Sequence, residues 1–325
     1  MSVCLVCGKE FTKADVCDAD VCPDCLGKSL PCFDNLPIQR GRFYAGSTGS
    51  KRCVIYKGEH WMLKRQESLK DKDFENVEIS YANDPISEYI GAAFYRELGV
   101  PVHDVVLGTF DGEMAVLCSD RAYPNKLIEF KEFRNTLFDR DITQSSDGMS
   151  TALKDIFEVI EKCPDIPKED TYQRFFTMLV IDSILGNTDR NNGNWGFVYL
   201  DTEDKYVLYD VYDLGGSLNN KRSDKQMAED LATDGAINRM VLDYTVNFTV
   251  KGKRINPFHF IESNIQNRYI RKALGLINFA TFNKVDKVLE SIPIELSKVR
   301  IEWYRKIMRT RITYLLHVKD EYHLT

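Results

Sequence analysis

The chain has 325 residues, 43% of them hydrophobic and 28% charged, with a formal net charge of −6. That length allows one large or two ordinary domains, and the acidic balance argues against a general nucleic-acid or membrane-surface binder, which needs a broad basic field. No stretch is long and apolar enough to cross a bilayer, and "MSVCLVCGKE" has neither the basic nor the apolar region of a signal peptide, so a reducing, cytoplasmic setting is the expectation, with export by a route needing no such leader left open.

Six of the nine cysteines fall within the first 32 residues. Cys4/Cys7 and Cys22/Cys25 form two C-x-x-C pairs fourteen residues apart. Each pair can set two thiolates about one metal, and together they close a tetrahedral shell. The expectation for residues 1–33 is a zinc ribbon whose Zn²⁺ supplies folding energy to a segment with little core of its own. Four cysteine ligands leave no open position, so the zinc is read as structural. Cys17 or Cys32 are alternative ligands, and a redox or disulfide cluster is the rival reading.

From residue 34 to about 120 the pattern is strand-rich. "GRFYAGSTGSKRCVIYKGEHWMLK" reads as strand, glycine-containing loop, strand, a turn at Lys57-Gly58, and strand. "NDPISEYIGAAFYRELGVP" predicts a helix over 85–98, with Asp84 as N-cap, Pro85 at the first turn and Gly99 as the stop. Ile86, Ile90, Phe94 and Leu98 make its apolar stripe. Two more strands, "VHDVVLGTF" and "EMAVLCSD", meet at the Asp111-Gly112 turn.

Residues 121–325 turn mainly helical, with helices expected near 127–137, 148–162 and 169–185, a hairpin-like pair "WGFVYL" and "YVLYDVYD", and a helical C-terminal third. Residues 219–256 are polar with weak periodicity and read as a surface insertion. "RKIMRTR" reads as a solvated helix face, and the five histidines show no metal spacing. The architecture expected is thus α+β: a small β-rich lobe with one helix and a larger helical lobe, with a cleft between them suited to a nucleotide.

Four features fall on that scaffold in a suggestive order. "AGSTGSK" offers glycines that let backbone amides approach phosphate, but a strand follows it, which excludes a Walker A loop. Lys64 ends a strand of large apolar residues and can reach nucleotide phosphates. Glu88 lies off the apolar stripe, on a helix face shared with the small residues Gly91 and Ala92, where close packing lets it pair with Lys64. In "ILGNTDRNNGNWGF", Asp189 and Asn194 stand five apart, and Asp213-Leu214-Gly215 comes nineteen residues after Asn194. A carboxylate to orient an attacking hydroxyl, with an amide oxygen and a second carboxylate to hold Mg²⁺, is what phosphoryl transfer from ATP requires. Each feature alone has a bland reading as a hairpin loop, a solvated lysine, a helix-dipole glutamate or a turn. Their chain order favours a kinase.

"LGNTDRNNGNWGF", "YDLGGSL", "SEYIGAAFYRELGVP" and "AGSTGSK…WMLK" resemble the HipA-type serine/threonine kinases, over about residues 40–310 and nearest to the short CtkA-type branch. The resemblance implies a two-lobed protein-kinase-like fold and an ATP- and Mg²⁺-dependent protein serine/threonine kinase of toxin or effector type. It implies Asp189 as catalytic base and Asn194 and Asp213 as Mg²⁺ ligands. Lys64 would be the ATP-phosphate lysine and Glu88 its partner. Gly46, Ser47, Thr48, Gly49, Ser50 and Lys51 would form the phosphate loop, and "VLCSD", with Leu117 and Cys118, the adenine-contacting hinge. A protein substrate and an antitoxin-like partner are implied, together with autophosphorylation near the phosphate loop. Asn191 stands where the family usually has histidine, and the cysteine segment is outside its motif set. Two alternatives remain: a small-molecule or lipid kinase, since acceptor choice is not set by these residues, and an inactive kinase fold carrying the ribbon as a binding module. Nucleic acid is not expected on the kinase body and only weakly on the ribbon.

Overall fold

The computed structural model describes residues 2–3, 10–11, 30–44, 51–66, 69, 82–133 and 151–324. Cys4, Cys7, Cys22 and Cys25 of the expected ribbon, and Gly46 to Ser50 of the expected phosphate loop, lie outside the described residues. Near the N-terminus, β1 (Ser2–Val3) and β2 (Glu10–Phe11) pair antiparallel.

The smaller lobe is built on β3 (Lys51–Tyr56), β4 (Glu59–Arg65), β5 (Val105–Phe110) and β6 (Glu113–Ser119), in the order β3-β4-β6-β5, all antiparallel. Lys57-Gly58 and Asp111-Gly112 both sit at positive φ, as two-residue hairpin turns matched to strand twist require. Pairing fixes the two faces of the sheet. Cys53, Met62 and Cys118 lie abreast, as do Lys51, Lys64 and Val116. The other face carries Val54, Trp61, Leu63, Ala115 and Leu117, sealed by Phe33. The expected strand at "GRFY" is not formed: residues 42–44 are irregular.

Between β4 and β5 runs α1 (Asp84–Glu97), with Asn83 rather than Asp84 in the N-cap position and Pro85 in the first turn. Its stripe of Ile86, Ile90, Phe94 and Leu98 is buried, and so is the face bearing Glu88, Gly91, Ala92 and Tyr95. The helix therefore lies between the sheet and the helical lobe. Tyr89 Oη donates to the Ser291 carbonyl at 2.8 Å and Lys287 pairs with Glu97 at 2.7 Å.

In the larger lobe the chain does not start as a helix at 127. Leu127–Glu129 form β7, paired with β8 (Gly196–Leu200), which pairs with β9 (Lys205–Leu208). A helical turn begins only at 130. A segment as short as Leu-Ile-Glu has no period of its own, and cross-strand pairing decides it. After α2 (Leu153–Lys162) comes α3 (Lys168–Leu185), buried continuously from Phe175 to Leu185. It is the central helix, apolar on all sides as such a position demands. Gly186, at φ +66, ends it.

The expected surface insertion at 219–256 is instead part of this core. It contains α4 (Asp224–Leu231), opened by a Ser223/Gln226 capping box, α5 (Asp234–Leu242), and the small hairpin of β10 (Thr249–Val250) and β11 (Lys253–Arg254). Met227, Ile237, Val241, Val246 and Phe248 are all buried. α6 (Pro257–Ser263), α7 (Arg268–Leu274), α8 (Ala280–Glu290) and α9 (Lys298–Glu321) complete the lobe. Trp303 of α9 donates to Asp230 at 2.9 Å, tying the segment to the last helix. No helix among the described residues is long and apolar enough to cross a membrane.

Candidate active site

Lys64 leaves the cleft face of β4 and places its Nζ 3.0 Å from Glu88 Oε2 and 2.7 Å from Asp213 Oδ1. Burial alone would lower its pKa. Asp213 and then Glu88 outweigh that, and the ammonium is held well above its usual value. Glu88 is itself fixed from three sides. Its Oε1 accepts the Leu214 amide at 2.8 Å and stands 3.1 Å from His103 Nε2, while Oε2 takes Lys64. Burial pushes the Glu88 carboxyl up, but Lys64 and the His103 hydrogen bond hold it well below the carboxylate range. His103, given no role in the sequence reading, is 2% exposed and braces this glutamate. Lys51 lies beside Lys64 on the same sheet face.

The catalytic-loop candidates hang from the end of α3. Asn187 accepts the Asp189 amide with its side chain, and Asn194 Nδ2 donates to the Asp189 carbonyl at 3.0 Å. Asn191, in the place of the family's usual histidine, bonds the same carbonyl at 2.9 Å and accepts the Gly193 amide at 2.8 Å. Beneath the loop is a group that no motif marks. Arg190 is 1% exposed, donates to Asp182 Oδ2 at 2.7 Å and to the Tyr212 carbonyl at 2.7 Å, and also reaches the Asn194 carbonyl. Tyr95 of α1 donates to the other Asp182 oxygen at 2.9 Å. One buried guanidinium thereby ties α3, the loop and the segment leading to Asp213. The available signal was Asp182 itself, a lone carboxylate inside the apolar run "TMLVIDSIL", which needs a buried partner.

Asp213 adopts φ +58, a left-handed conformation that aspartate tolerates and that is common at functional sites. The two glycines after Leu214 bring the two halves of the site together. A Cβ on Gly215 would stand 3.0 Å from Lys64 Nζ and 3.2 Å from Glu88 Oε2. A Cβ on Gly216 would stand 2.8 Å from Asp189 Cβ and 3.1 Å from Asn187 Oδ1. On the outer side, Gly91 of α1 abuts Leu214, where a Cβ would meet that side chain at 2.8 Å. Lys64, Glu88, Asp189, Asn194 and Asp213 thus converge on one cleft.

The oxygens fit a hard divalent cation. Burial, and next the neighbouring Asp213 charge, raise the Asp189 carboxyl. Asp213 is held low by Lys64 and then Lys51, against its own burial. The Asp213 carboxylate and the Asn194 amide oxygen are donors of the all-oxygen kind Mg²⁺ takes and could hold it, with the Asp189 carboxyl beside them left for the proton.

The expected hinge residues Leu117 and Cys118 both lie within β6. Leu117 faces the outer core with Phe33, Trp61 and Leu63, not the cleft. Cys118 faces the cleft side, and its thiol is pushed up by burial and by Glu88. Both residues are paired on each side within the sheet, so the connector between the lobes begins after Ser119.

The family model of the HipA-like C-terminal domain matches residues 47–268. The chain belongs to that family. The Helicobacter pylori serine/threonine-protein kinase CtkA is 24% identical over 289 residues, covering 88% of this chain and 86% of the relative. The crystal structure of that proinflammatory kinase superposes with a TM-score of 0.78 at 23% identity, over 90% of this chain and 99% of the other. HipA of Shewanella oneidensis, solved with HipB and operator DNA, gives a TM-score of 0.52 at 14% identity, over 86% of this chain and 66% of HipA. The fold is the kinase-like fold of these proteins, and the expected enzyme, a protein serine/threonine kinase, matches the named activity of the H. pylori relative.

Proposed function

We propose that this HipA-like protein is an ATP- and Mg²⁺-dependent protein serine/threonine kinase that transfers the γ-phosphoryl group of ATP to a protein hydroxyl. The observation that carries the reading is the adjacent pair Gly215-Gly216, one packed on Lys64 and Glu88 and the other on Asp189. Two consecutive residues without side chains let the phosphate-side and acceptor-side groups approach from separate lobes.

In this reading Lys64 exchanges its contact with Asp213 for phosphate oxygens, while Glu88, held by His103 and Leu214, keeps the ammonium in place. Asp213 and Asn194 would hold Mg²⁺, which when bound would supply positive charge against the phosphates. Asp189 orients the acceptor hydroxyl and accepts its proton as the oxygen bonds to phosphorus. Arg190 holds the loop against the segment leading to Asp213 through the Asn194 and Tyr212 main-chain oxygens. An antitoxin-like protein is the partner suggested by the HipA–HipB complex, and a zinc-bound Cys4/Cys7/Cys22/Cys25 ribbon at the front of the chain belongs to the same proposal.

The test is transfer from γ-labelled ATP to a generic protein acceptor or to the protein itself. Wild type should label protein serine or threonine, and Asp189→Asn should reduce labelling by about 10²-fold or more. Equal labelling by the two proteins would overturn the assignment.

A further inference from the structure

Arg311 sits in the middle of α9, far along the chain from the catalytic motifs, and is 1% exposed. Its stretch, "RKIMRTR", reads from sequence alone as a solvated helix face. It makes no ion pair among the described residues. Its Nη1 donates to the Ile184 carbonyl at 3.1 Å, its Nε to the Val241 carbonyl at 3.4 Å, and its guanidinium lies over the Tyr244 ring at 4.9 Å. Burial without a counter-charge pulls its pKa down.

A guanidinium buried without a carboxylate is costly, and an apolar side chain would fill the same space better. What it reaches gives a reason for its presence. Ile184 lies in the last turn of α3, where carbonyls lack helical partners and where a cation is favoured by the helix dipole. The neighbouring Ser183 carbonyl takes the Tyr244 hydroxyl at 2.8 Å, so Arg311 and its stacked tyrosine hold two successive carbonyls. Two residues further is Gly186. A Cβ there would stand 2.6 Å from Arg311 Nη1 and 2.8 Å from Nη2, and its φ of +66 already disfavours a side chain.

From this anchor the chain runs directly into the site. The Asn187 amide bonds back to the Asp182 carbonyl at 3.0 Å, and the Leu185 carbonyl accepts the Leu218 amide at 2.9 Å, beside the glycine pair. Asn187 Oδ1 then takes the Asp189 amide. We propose that Arg311 is a positioning residue for phosphoryl transfer, pinning the end of α3 through Ile184 and Gly186 so that Asp189 is delivered against Gly216. This rests on the kinase reading for its effect on rate, but not for its effect on the chain.

The experiment uses the full chain with Arg311→Lys, Arg311→Met and Gly186→Ala. Arg311→Lys keeps the charge but loses the planar two-direction donation. Its kcat should fall on the order of tenfold to a hundredfold, as a misplacement near 1 Å does, with KM for ATP changed by less than about twofold. Amide exchange over 184–190 should rise while exchange in β3–β6 stays at the wild-type level. Arg311→Met should be worse in the same sense. Gly186→Ala combined with Arg311→Lys should lose less than the product of the single effects, because both loosen one contact. Unchanged exchange over 184–190 in Arg311→Lys overturns the proposal even if the rate falls, and so does a wild-type kcat. If Asp189→Asn retains full activity, the kinase reading fails separately, and the exchange measurement still decides what Arg311 holds.

Discussion

On the strand side of the cleft, charged side chains touch one another: Lys64 lies between Glu88 and Asp213, at 3.0 and 2.7 Å. On the loop side, Arg190 makes one ion pair, with Asp182, and otherwise donates to the carbonyls of Asn194 and Tyr212. Lys64 is 14% exposed and Arg190 only 2% by side chain. The first arrangement can be exchanged when a polyanion and a cation arrive, because Asp213 and the phosphates are alternative partners for one ammonium. The second cannot, because releasing Arg190 would strand backbone oxygens and a carboxylate in the core. One wall of the site is therefore switchable and the other fixed, a division of labour that suits the nucleotide of the proposed function.

The largest expected effect comes from breaking the fixed wall. Arg190→Met leaves Asp182 buried without its counter-charge, and should destabilise the protein by about 3–5 kcal/mol, read from urea unfolding. Lys64→Met strikes the switchable wall instead. It should lower kcat/KM by roughly 10²–10³, while its loss in unfolding free energy stays below that of Arg190→Met. A larger stability loss in the lysine variant would reverse the comparison.

Acid titration sharpens it further. Glu88 is held below the ordinary carboxylate range by Lys64 and His103, in spite of its burial. A depressed carboxylate contributes stability that is complete above its unfolded pKa of about 4 and is lost as pH falls toward the folded value. The unfolding free energies of wild type and Glu88→Gln should therefore converge as pH drops from about 5 toward about 2. A constant gap would mean that the Lys64–Glu88 pair carries no net charge coupling. The smallest effect is expected at Asn191. Its side chain already closes the loop through the Asp189 carbonyl and the Gly193 amide. Asn191→His should change kcat by only about threefold in either direction, measured under saturating ATP.

The motif residues were legible because their chemistry is local in sequence: the amide-rich turn, the carboxylate before Leu214-Gly215, and the lysine ending an apolar strand. So were the paired hairpins, whose Lys57-Gly58 and Asp111-Gly112 turns demand positive φ. What failed depended on the third dimension. Leu117 and Cys118 differ only in parity along β6, and that parity is set by pairing with β4 and β5. The 219–256 segment buries few residues per helix, too few to give a readable period. Arg311 follows Tyr304, Ile307 and Met308 and precedes Leu315 and Val318 on one buried stripe, so its place in the core was readable from spacing. Its charge hid it. Arg305 and Arg309, off that stripe, pair with Asp286 at the surface as a solvated face would. Arg190 was hidden in the same way by its neighbour Asp189, the candidate base.

In the proposed function, Asp213 and Asn194 gather a cation beneath the ATP phosphates and Lys64 reaches the same phosphates. Calorimetric titration of ATP into wild type and Asp213→Asn, with and without Mg²⁺, tests that most directly. Mg²⁺ should tighten ATP binding to wild type by about tenfold or more and have little effect on the variant. The same Mg²⁺ dependence in both proteins would contradict it.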